Sequence, residues 1–154
     1  LDVQTRIRER LNRGFPARTG ALHFNLKFDD TGLLGGIGAL FRGTLRRKNM
    51  SFYGMQTERA LQDMHVDKLF LAADGFHIDK GITTHFEPEA LLNRLMCQAA
   101  SEIIVVTDSS KFGRLCLHKI LEPQNITRLI TDAGIPDEAR EALTSAGVHV
   151  QIAT

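Results

Sequence analysis

Two polar segments of the sequence, each directly after an apolar run, hold the side chains best suited to bind a ligand. The first is residues 74–84 (DGFHIDKGITT), which follows the apolar end of residues 67–73 (DKLFLAA). The second is residues 107–114 (TDSSKFGR), which follows residues 103–106 (IIVV). Carboxylates and hydroxyls bind sugar hydroxyls, whereas Lys and Arg bind phosphate oxygens. The two segments therefore predict a site for a small, phosphorylated polyhydroxy molecule.

The first segment begins with an Asp-Gly pair. Asp74 stands directly after the apolar run, where its carboxylate could accept hydrogen bonds from sugar hydroxyls or orient a backbone turn. Gly75 and Gly81 allow close approach of the backbone to a ligand and tolerate positive φ. A structural turn is the more common role of an isolated Asp-Gly pair, so both explanations stay open for these residues.

The same segment ends just before a predicted helix start. Thr83 and Thr84 offer hydroxyl groups and backbone N–H donors there, and the start of a helix carries a partial positive charge. Together these groups could hold an anion. Glu87 and Glu89 occupy the same helix start, and their carboxylates could satisfy it without any ligand. Two alternatives therefore remain for this helix start: it binds an anionic ligand, or its own glutamates satisfy it.

The second segment places one carboxylate, two hydroxyls, an ammonium and a guanidinium within eight residues of a predicted strand end. Lys111 and Arg114 are both natural phosphate partners, Lys as a compact charge and Arg as a planar fork. A solvated turn could show part of this composition. The sequence thus predicts ligand contact by Lys111, with a solvated turn as the alternative.

Signatures of metal and nucleophile chemistry are absent from the sequence. The six His residues have no metal-ligand spacing, and neither Cys lies in a CxxC or a Cys/His motif. The glycine-rich stretch 32–38 lacks the Lys-Ser/Thr of a phosphate-binding P-loop, and no Ser or Cys stands in a nucleophile motif. We therefore predict no metal, no cofactor and no catalytic residue.

The elements that position the two segments follow from the spacing of apolar residues, Pro and Gly. We predict a helix at 3–11, a strand at 21–28, a turn at 29–32, a turn with a basic stretch at 43–48, a helix at 54–66, a strand at 67–73, a loop at 74–86, a helix at 87–100, strands at 103–106 and 128–131, a helix at 136–146 and a strand at 148–152. The helix at 87–100 is expected to bury Leu91, Leu92, Leu95, Met96 and Ala99. This alternation predicts an α/β fold with a mainly parallel sheet and flanking helices, and ligands of such sheets bind beyond the carboxyl ends of the strands.

Composition and charge describe an ordinary globular chain of 154 residues, with 43% hydrophobic and 24% charged residues. The net charge of +1 argues against a protein whose main function is to bind nucleic acid. Cys97 lies in an apolar helical pattern and is expected to be a buried small hydrophobe, which fits a reducing cytoplasm. No apolar run suggests a signal peptide or a membrane span. Because the chain opens at Leu1, we expect it to be a fragment of a longer protein.

The text of residues 67–114, from DKLFLAADGFHIDKGITTHF to TDSSKFGR, resembles the C-terminal sensor domain of DeoR-family bacterial transcriptional regulators. The flanking LRRKNMSFYG and LITDAGIP continue the resemblance, which runs from about residue 43 to residue 152. Within the family the chain is most similar to repressors of amino-sugar catabolism of the N-acetylgalactosamine type.

The resemblance implies a Rossmann-like fold related to ribose-5-phosphate isomerase and glucosamine-6-phosphate deaminase. It also implies a phosphorylated sugar or amino-sugar effector, homo-oligomers, and operator DNA bound only through a separate winged helix. The residues that it places around the effector are Asp74, Gly75, Gly81, Thr83, Thr84, Glu87, Glu89 and Lys111.

Residues 1–42 depart from the family pattern. They contain neither the winged-helix motif nor the Asp-Ser-Gly-Thr-Thr-Thr loop that ends the first strand of the family's sensor domain and holds the effector phosphate. We therefore expect residues 1–42 to be a divergent or truncated segment and residues 43–154 to be the sensor domain. The sheet and the phosphate site are both expected to be incomplete at this end.

Two other functions are compatible with the same residues. The first is a sugar-phosphate isomerase or deaminase, in which Asp74 and Glu89 transfer protons and Lys111 anchors the phosphate. The second is an oligomerisation domain without any ligand. The leading hypothesis is the sensing domain of a cytoplasmic repressor, which binds its effector without turning it over.

Overall fold

The computed structural model describes residues 21–23, 44–46 and 51–153. In chain order the described elements are β1 (Ala21–His23), β2 (Thr44–Arg46), β3 (Ser51–Tyr53), α1 (Met55–Gln62), β4 (Val66–Leu71), β5 (Gly75–His77), β6 (Gly81–Thr84), α2 (Glu87–Ala99), β7 (Ala100–Val106), β8 (His118–Leu121), β9 (Arg128–Thr131), α3 (Asp137–Ser145) and β10 (His149–Ile152). Two short 3-10 helices, Ser109–Lys111 and Pro123–Asn125, lie in the connections around β8.

A five-stranded parallel sheet forms the centre of the described part of the chain. Its strand order is β1-β4-β7-β9-β10, and every neighbouring pair is parallel. The apolar runs at the ends of β4 and β7 form its middle, where Leu69 lies opposite Ile103 and Leu71 opposite Val105. All four of these side chains are buried. The predicted α/β class with a mainly parallel sheet is confirmed.

The main hydrophobic core joins one face of this sheet to the three helices. Leu69, Val105 and Leu129 line the sheet side of the core, and Met96 of α2 and Leu143 of α3 belong to the same buried cluster. Full burial of a side chain of this kind is worth about 1.5–3 kcal/mol relative to its exposure. These contacts hold the strand ends, and the segments that follow them, in a fixed arrangement.

The predicted loop at 74–86 is wrong for most of its length. β5 and β6 form an antiparallel hairpin within it, and β6 also pairs with β8, which the sequence did not predict. These strands have only three or four residues, so they are too short to show a clear alternation of apolar and polar side chains. Burial of Phe76 and Ile82 at 0% exposure anchors the hairpin in the core.

Other boundaries also shift. Helix α1 is shorter than the predicted helix at 54–66, and residues 44–46 form a strand paired with β3 where a turn was predicted. In α2, Leu91 is exposed, against prediction, because the helix buries its other side. The buried residues of α2 are Glu89, Ala90, Leu92, Asn93, Met96, Cys97 and Ala99. The predicted helix at 3–11, the turn at 29–32 and most of the strand at 21–28 lie outside the described residues.

Cys97 is buried in α2, as predicted, and its thiol is free. Burial raises the pKa of the Cys97 thiol to about 12, because a thiolate would lose its hydration there. Among the described residues, no helix has the length and apolar character that crossing a membrane would require.

Candidate functional site

The two polar segments leave neighbouring parallel strands, β4 and β7, and they contact each other directly. Phe76 of β5 and Phe112 form a single parallel bridge, and their rings pack with centroids 4.9 Å apart. The Gly113 N–H donates to the Phe76 carbonyl at 2.9 Å. The sheet thus brings both segments to its carboxyl edge, and these contacts fix one segment against the other.

Gly75 is required by this close packing. A Cβ atom at this position would lie 2.6 Å from the Arg114 carbonyl oxygen and 2.9 Å from Thr83 Oγ1. Real Cβ atoms do not approach other heavy atoms so closely, so any larger residue would push the two segments apart. Close packing therefore explains why the second residue of the Asp-Gly pair is glycine. It places no such requirement on Asp74, which is available for another role.

Asp74 is exposed at the edge of the sheet, next to a buried threonine. Its Oδ2 atom accepts a hydrogen bond of 2.6 Å from the Thr84 hydroxyl. This bond fixes the orientation of the carboxylate, and within the described residues Oδ1 accepts no hydrogen bond. An oriented, exposed carboxylate of this kind can accept hydrogen bonds from ligand hydroxyls.

Thr83 and Gly81 serve the hairpin itself. The buried Thr83 hydroxyl donates to the Gly75 carbonyl at 3.3 Å and accepts from the Cys116 N–H at 3.0 Å. Both functions of the hydroxyl are therefore used inside the protein. Gly81 has a φ of +76°, and β8 passes directly against it. The geometry gives these two residues the task of holding the hairpin that carries Asp74 and Thr84.

The start of α2 carries two acidic residues in different surroundings. Glu87 is exposed, whereas Glu89 is only 9% exposed and faces the same side of the helix as the buried Asn93. Phe86 precedes the helix and provides no side-chain cap, and its backbone carbonyl accepts from the N–H groups of Glu89 and Ala90, both at 3.1 Å. Because α2 packs against β4, β6 and β8, this helix start is part of the same structural unit as the hairpin.

The Ser109–Lys111 turn is held by aspartates on both sides. Asp108 caps it, since its Oδ1 atom accepts from the Ser110 N–H at 3.0 Å and from the Ser110 hydroxyl. Lys111 is half-buried, and its ammonium makes no ion pair with any residue that the structure describes. A fixed turn with an unpaired ammonium at its end is suited to bind an anion.

Asp132 is a residue that the sequence analysis missed. It follows β9, and its two carboxylate oxygens accept from the Ser109 N–H and the Gly134 N–H, both at 2.8 Å. The Ser109 N–H is the main reason why the pKa of the Asp132 carboxyl lies below its ordinary value. Its position just beyond the end of a predicted strand, as for Asp74 and Asp108, was the signal that could have revealed it.

We expect Asp132→Asn to destabilise the protein at pH 7 by about 1 kcal/mol, since a partly exposed charged acceptor is lost. A lowered folded-state pKa adds stability above the unfolded pKa near 4, and this stability disappears as pH falls through the folded value. The difference between wild type and variant should therefore shrink below about pH 4 in urea denaturation. Asp67→Asn, on the exposed part of β4, is the matched control and should show little effect. An equal difference at pH 7 and pH 3 would exclude this role.

The part of the chain that the structure describes contains no arrangement of side chains suited to bind a metal ion. No group of three or more His, Cys, Asp and Glu side chains comes close enough there to hold a metal ion. The polar groups at the carboxyl edge instead include an oriented carboxylate at Asp74 and, on the neighbouring segment, an ammonium at Lys111 that has no ion pair among the described residues. Such a set is suited to recognise a polyhydroxy anion.

The chain is similar to several known proteins. A protein of Escherichia coli O157:H7 described as an aga operon transcriptional repressor is 54% identical over 108 residues, which are 70% of this chain and 40% of that protein. An uncharacterised HTH-type transcriptional regulator of Bacillus subtilis strain 168, YulB, is 37% identical over 108 residues, or 70% and 42% of the two chains. The HTH-type transcriptional regulator GlpR of Haloferax volcanii is 34% identical over 108 residues, again 70% and 42%.

The chain spans about two-fifths of the length of these relatives. Residues 39–133, more than half of the chain, match the family model of the DeoR C-terminal sensor domain. The matched range contains both polar segments, the hairpin and Asp132. The chain therefore belongs to the DeoR family, as a C-terminal sensor domain of that family.

Proposed function

We propose that this domain is the effector-sensing part of a cytoplasmic transcriptional repressor and that it binds a phosphorylated sugar or amino sugar at the carboxyl edge of its sheet. The repressor part of the proposal rests on the regulators to which the chain is similar. In the whole protein, operator DNA would be bound by a separate domain, and the sensor domain would form homo-oligomers. Effector binding would change the affinity for DNA by favouring one state of the protein.

The observation that carries the proposal is the contact between the two polar segments. The Gly113–Phe76 hydrogen bond and the packed rings of Phe76 and Phe112 hold Asp74 and Lys111 on segments that cannot move independently. A carboxylate and an ammonium carried by two connected segments at one edge present complementary groups to the hydroxyls and the phosphate of one ligand. Preorganisation of this kind lowers the entropic cost of binding.

The residues around this edge have distinct roles in the proposal. Asp74 binds sugar hydroxyls with its exposed carboxylate, and Lys111 binds the phosphate. The remaining residues shape or complete the pocket: Gly75, Gly81 and Thr83 through the hairpin, Thr84 by orienting Asp74, and Glu87 and Glu89 at the start of α2.

Isothermal titration calorimetry with hexosamine phosphates and ketose phosphates tests the sensing function. We expect one member of the panel to bind, and its unphosphorylated counterpart to bind more weakly. The absence of binding by every member, in a sample shown to be folded by circular dichroism, would refute sensing by this chain. The same sample is assayed for aldose–ketose interconversion, for which we expect no turnover. Turnover that is lost in Asp74→Ala or Glu89→Ala would identify an isomerase instead.

The Asp74→Ala substitution should weaken effector binding about tenfold or more, because hydrogen bonds to a charged acceptor contribute about 1.5–3 kcal/mol. Asp79→Ala is the matched control, since Asp79 is an exposed aspartate of the same hairpin and, among the described residues, has His77 as its polar partner. Calorimetry on both variants measures the difference. Equal affinities of the two variants would remove Asp74 from the pocket.

A further inference from the structure

A thiol–imidazole pair lies beside the proposed pocket, although the two residues are 31 positions apart in the chain. The Cys116 Sγ atom is 3.3 Å from His85 Nε2, which is within hydrogen-bonding distance for sulfur. His85 is exposed, whereas Cys116 is 8% exposed. The imidazole therefore connects an inward-facing thiol to solvent.

The other cysteine of the chain provides an internal comparison. Cys97 is buried to a similar degree, at 9% exposure, but it lies in the apolar core of α2. No described residue forms a hydrogen bond with its thiol, and burial raises the pKa of that thiol to about 12. Since the sequence contains two cysteines, any difference in their reactivity reflects these two environments.

Cys116 lies in a segment at the protein surface, but its sulfur points inward and is tightly packed. The neighbours Leu115 and Leu117 are 58% and 81% exposed, so small molecules can reach this segment. On the inner side, the Cys116 N–H donates to Thr83 Oγ1 at 3.0 Å. A Cβ atom at Gly75 would lie 3.0 Å from the Cys116 Sγ atom. The sulfur thus packs directly against the β5–β6 hairpin.

We propose that Cys116 is a thiol-modification site, at which a small hydroperoxide oxidises the sulfur while His85 accepts the thiol proton. The sulfur attacks one peroxide oxygen, so that an S–O bond forms and the O–O bond breaks. The thiol is oxidised to a sulfenic acid, and the hydroperoxide is reduced to water or an alcohol. His85 passes the accepted proton to the leaving oxygen, which is the role of a general acid–base group next to a nucleophile.

The position of Cys116 connects this reaction to the hairpin. In this proposal the additional oxygen lies on the side of the sulfur that faces Gly75, where even a Cβ atom added to Gly75 would lie only 3.0 Å from Sγ. The hairpin must therefore move away from the 114–117 segment, and the Cys116–Thr83 hydrogen bond is strained or lost. If the hairpin carries the effector pocket as proposed above, oxidation also lowers effector affinity; this last step rests on the proposed function.

The reaction is tested on the whole chain with hydrogen peroxide and dimedone, followed by peptide mass spectrometry. We expect dimedone on Cys116 and none on Cys97. In His85→Ala the labelling rate of Cys116 should fall at least about tenfold, because the proton acceptor is gone. His85→Gln, which retains a hydrogen-bonding group without a basic nitrogen, should be slow as well. His149→Ala, at an exposed histidine of β10, should react like wild type.

Several outcomes would overturn the proposal. These are equal labelling of both cysteines, a disulfide between them as the main product, or a rate in His85→Ala that equals or exceeds the wild-type rate. Hydrogen exchange of residues 74–86 provides a readout that does not depend on an effector. In the wild type, the exchange rate of these residues should increase after oxidation and return to its original value after treatment with dithiothreitol. In Cys116→Ser, peroxide should not change the exchange rate. Normal labelling without an effect on exchange would contradict the coupling to the hairpin.

Discussion

Gly81→Ala is expected to destabilise the protein by about 3 kcal/mol or more, because the added Cβ meets both a steric clash and an unfavourable backbone conformation. An alanine Cβ at this position would lie 1.9 Å from the Leu121 carbonyl oxygen of β8, which is backbone and cannot rotate away. The left-handed φ of +76° adds about 1–2 kcal/mol for any residue with a Cβ. Displacement of a packed strand adds roughly 1–3 kcal/mol more. In thermal denaturation this corresponds to a decrease in Tm of about 6–12 °C for a domain of this size.

Gly113→Ala is the matched control for this prediction. Gly113 has the same φ of +76°, but a Cβ at this position would meet nothing within 4 Å. The control therefore carries only the backbone penalty of about 1–2 kcal/mol. The difference between the two variants measures the contact with β8 by itself. If Gly81→Ala is no less stable than Gly113→Ala, the β6–β8 pairing described above is wrong.

The same contact explains why the hairpin could not be predicted from the sequence. The pairing of β6 with β8 joins Ile82 to Leu121, which are far apart in the chain, and neither strand has more than four residues. Short-range periodicity cannot reveal such a pairing, and a GITT sequence is equally compatible with a loop. By contrast, β4 and β7 end in uninterrupted apolar runs, and α3 has Pro136 before it and Gly147 after it. These local signals act within a few residues, so the parallel sheet and its helices were predictable.

The candidate site was predictable to a similar extent. Its composition and its location at strand ends follow from the sequence, because carboxyl ends of parallel strands meet at one edge. The separate roles of the individual residues in the site do not follow from the sequence. The sequence cannot show that the Thr83 hydroxyl is used internally, or that Asp132 holds the Ser109 N–H from the end of another strand. The Thr83 hydroxyl contacts Gly75 on the neighbouring strand and Cys116, which is 33 positions away, and Asp132 contacts Ser109, which is 23 positions away; local sequence patterns do not reveal such contacts.

Lys111→Met is expected to weaken binding of a phosphorylated effector by about 10- to 100-fold, which is the loss of a charged hydrogen bond worth about 1.5–3 kcal/mol. Methionine retains most of the aliphatic stem of the half-buried side chain, so that the variant should fold normally. Calorimetry with the phosphorylated effector and with its unphosphorylated counterpart separates the contribution of the Lys111 charge to affinity from the contribution of the other pocket residues. The affinity for the unphosphorylated sugar should change less than about threefold, because hydroxyl contacts do not require the ammonium.

Lys80→Met is the control for the removal of a positive charge, since Lys80 is an exposed lysine in the turn between β5 and β6. Its effect should disappear at high salt, because interactions between exposed charges are screened beyond about 10 Å at 0.1 M ionic strength. A direct contact between Lys111 and the phosphate persists under the same conditions, so the ratio between the two variants should remain large. Equal losses for the phosphorylated and unphosphorylated ligands would instead mean that Lys111 supports the fold of the 108–111 turn. In that case Lys111 is not a phosphate ligand, and we expect other groups at the edge of the sheet to bind the phosphate.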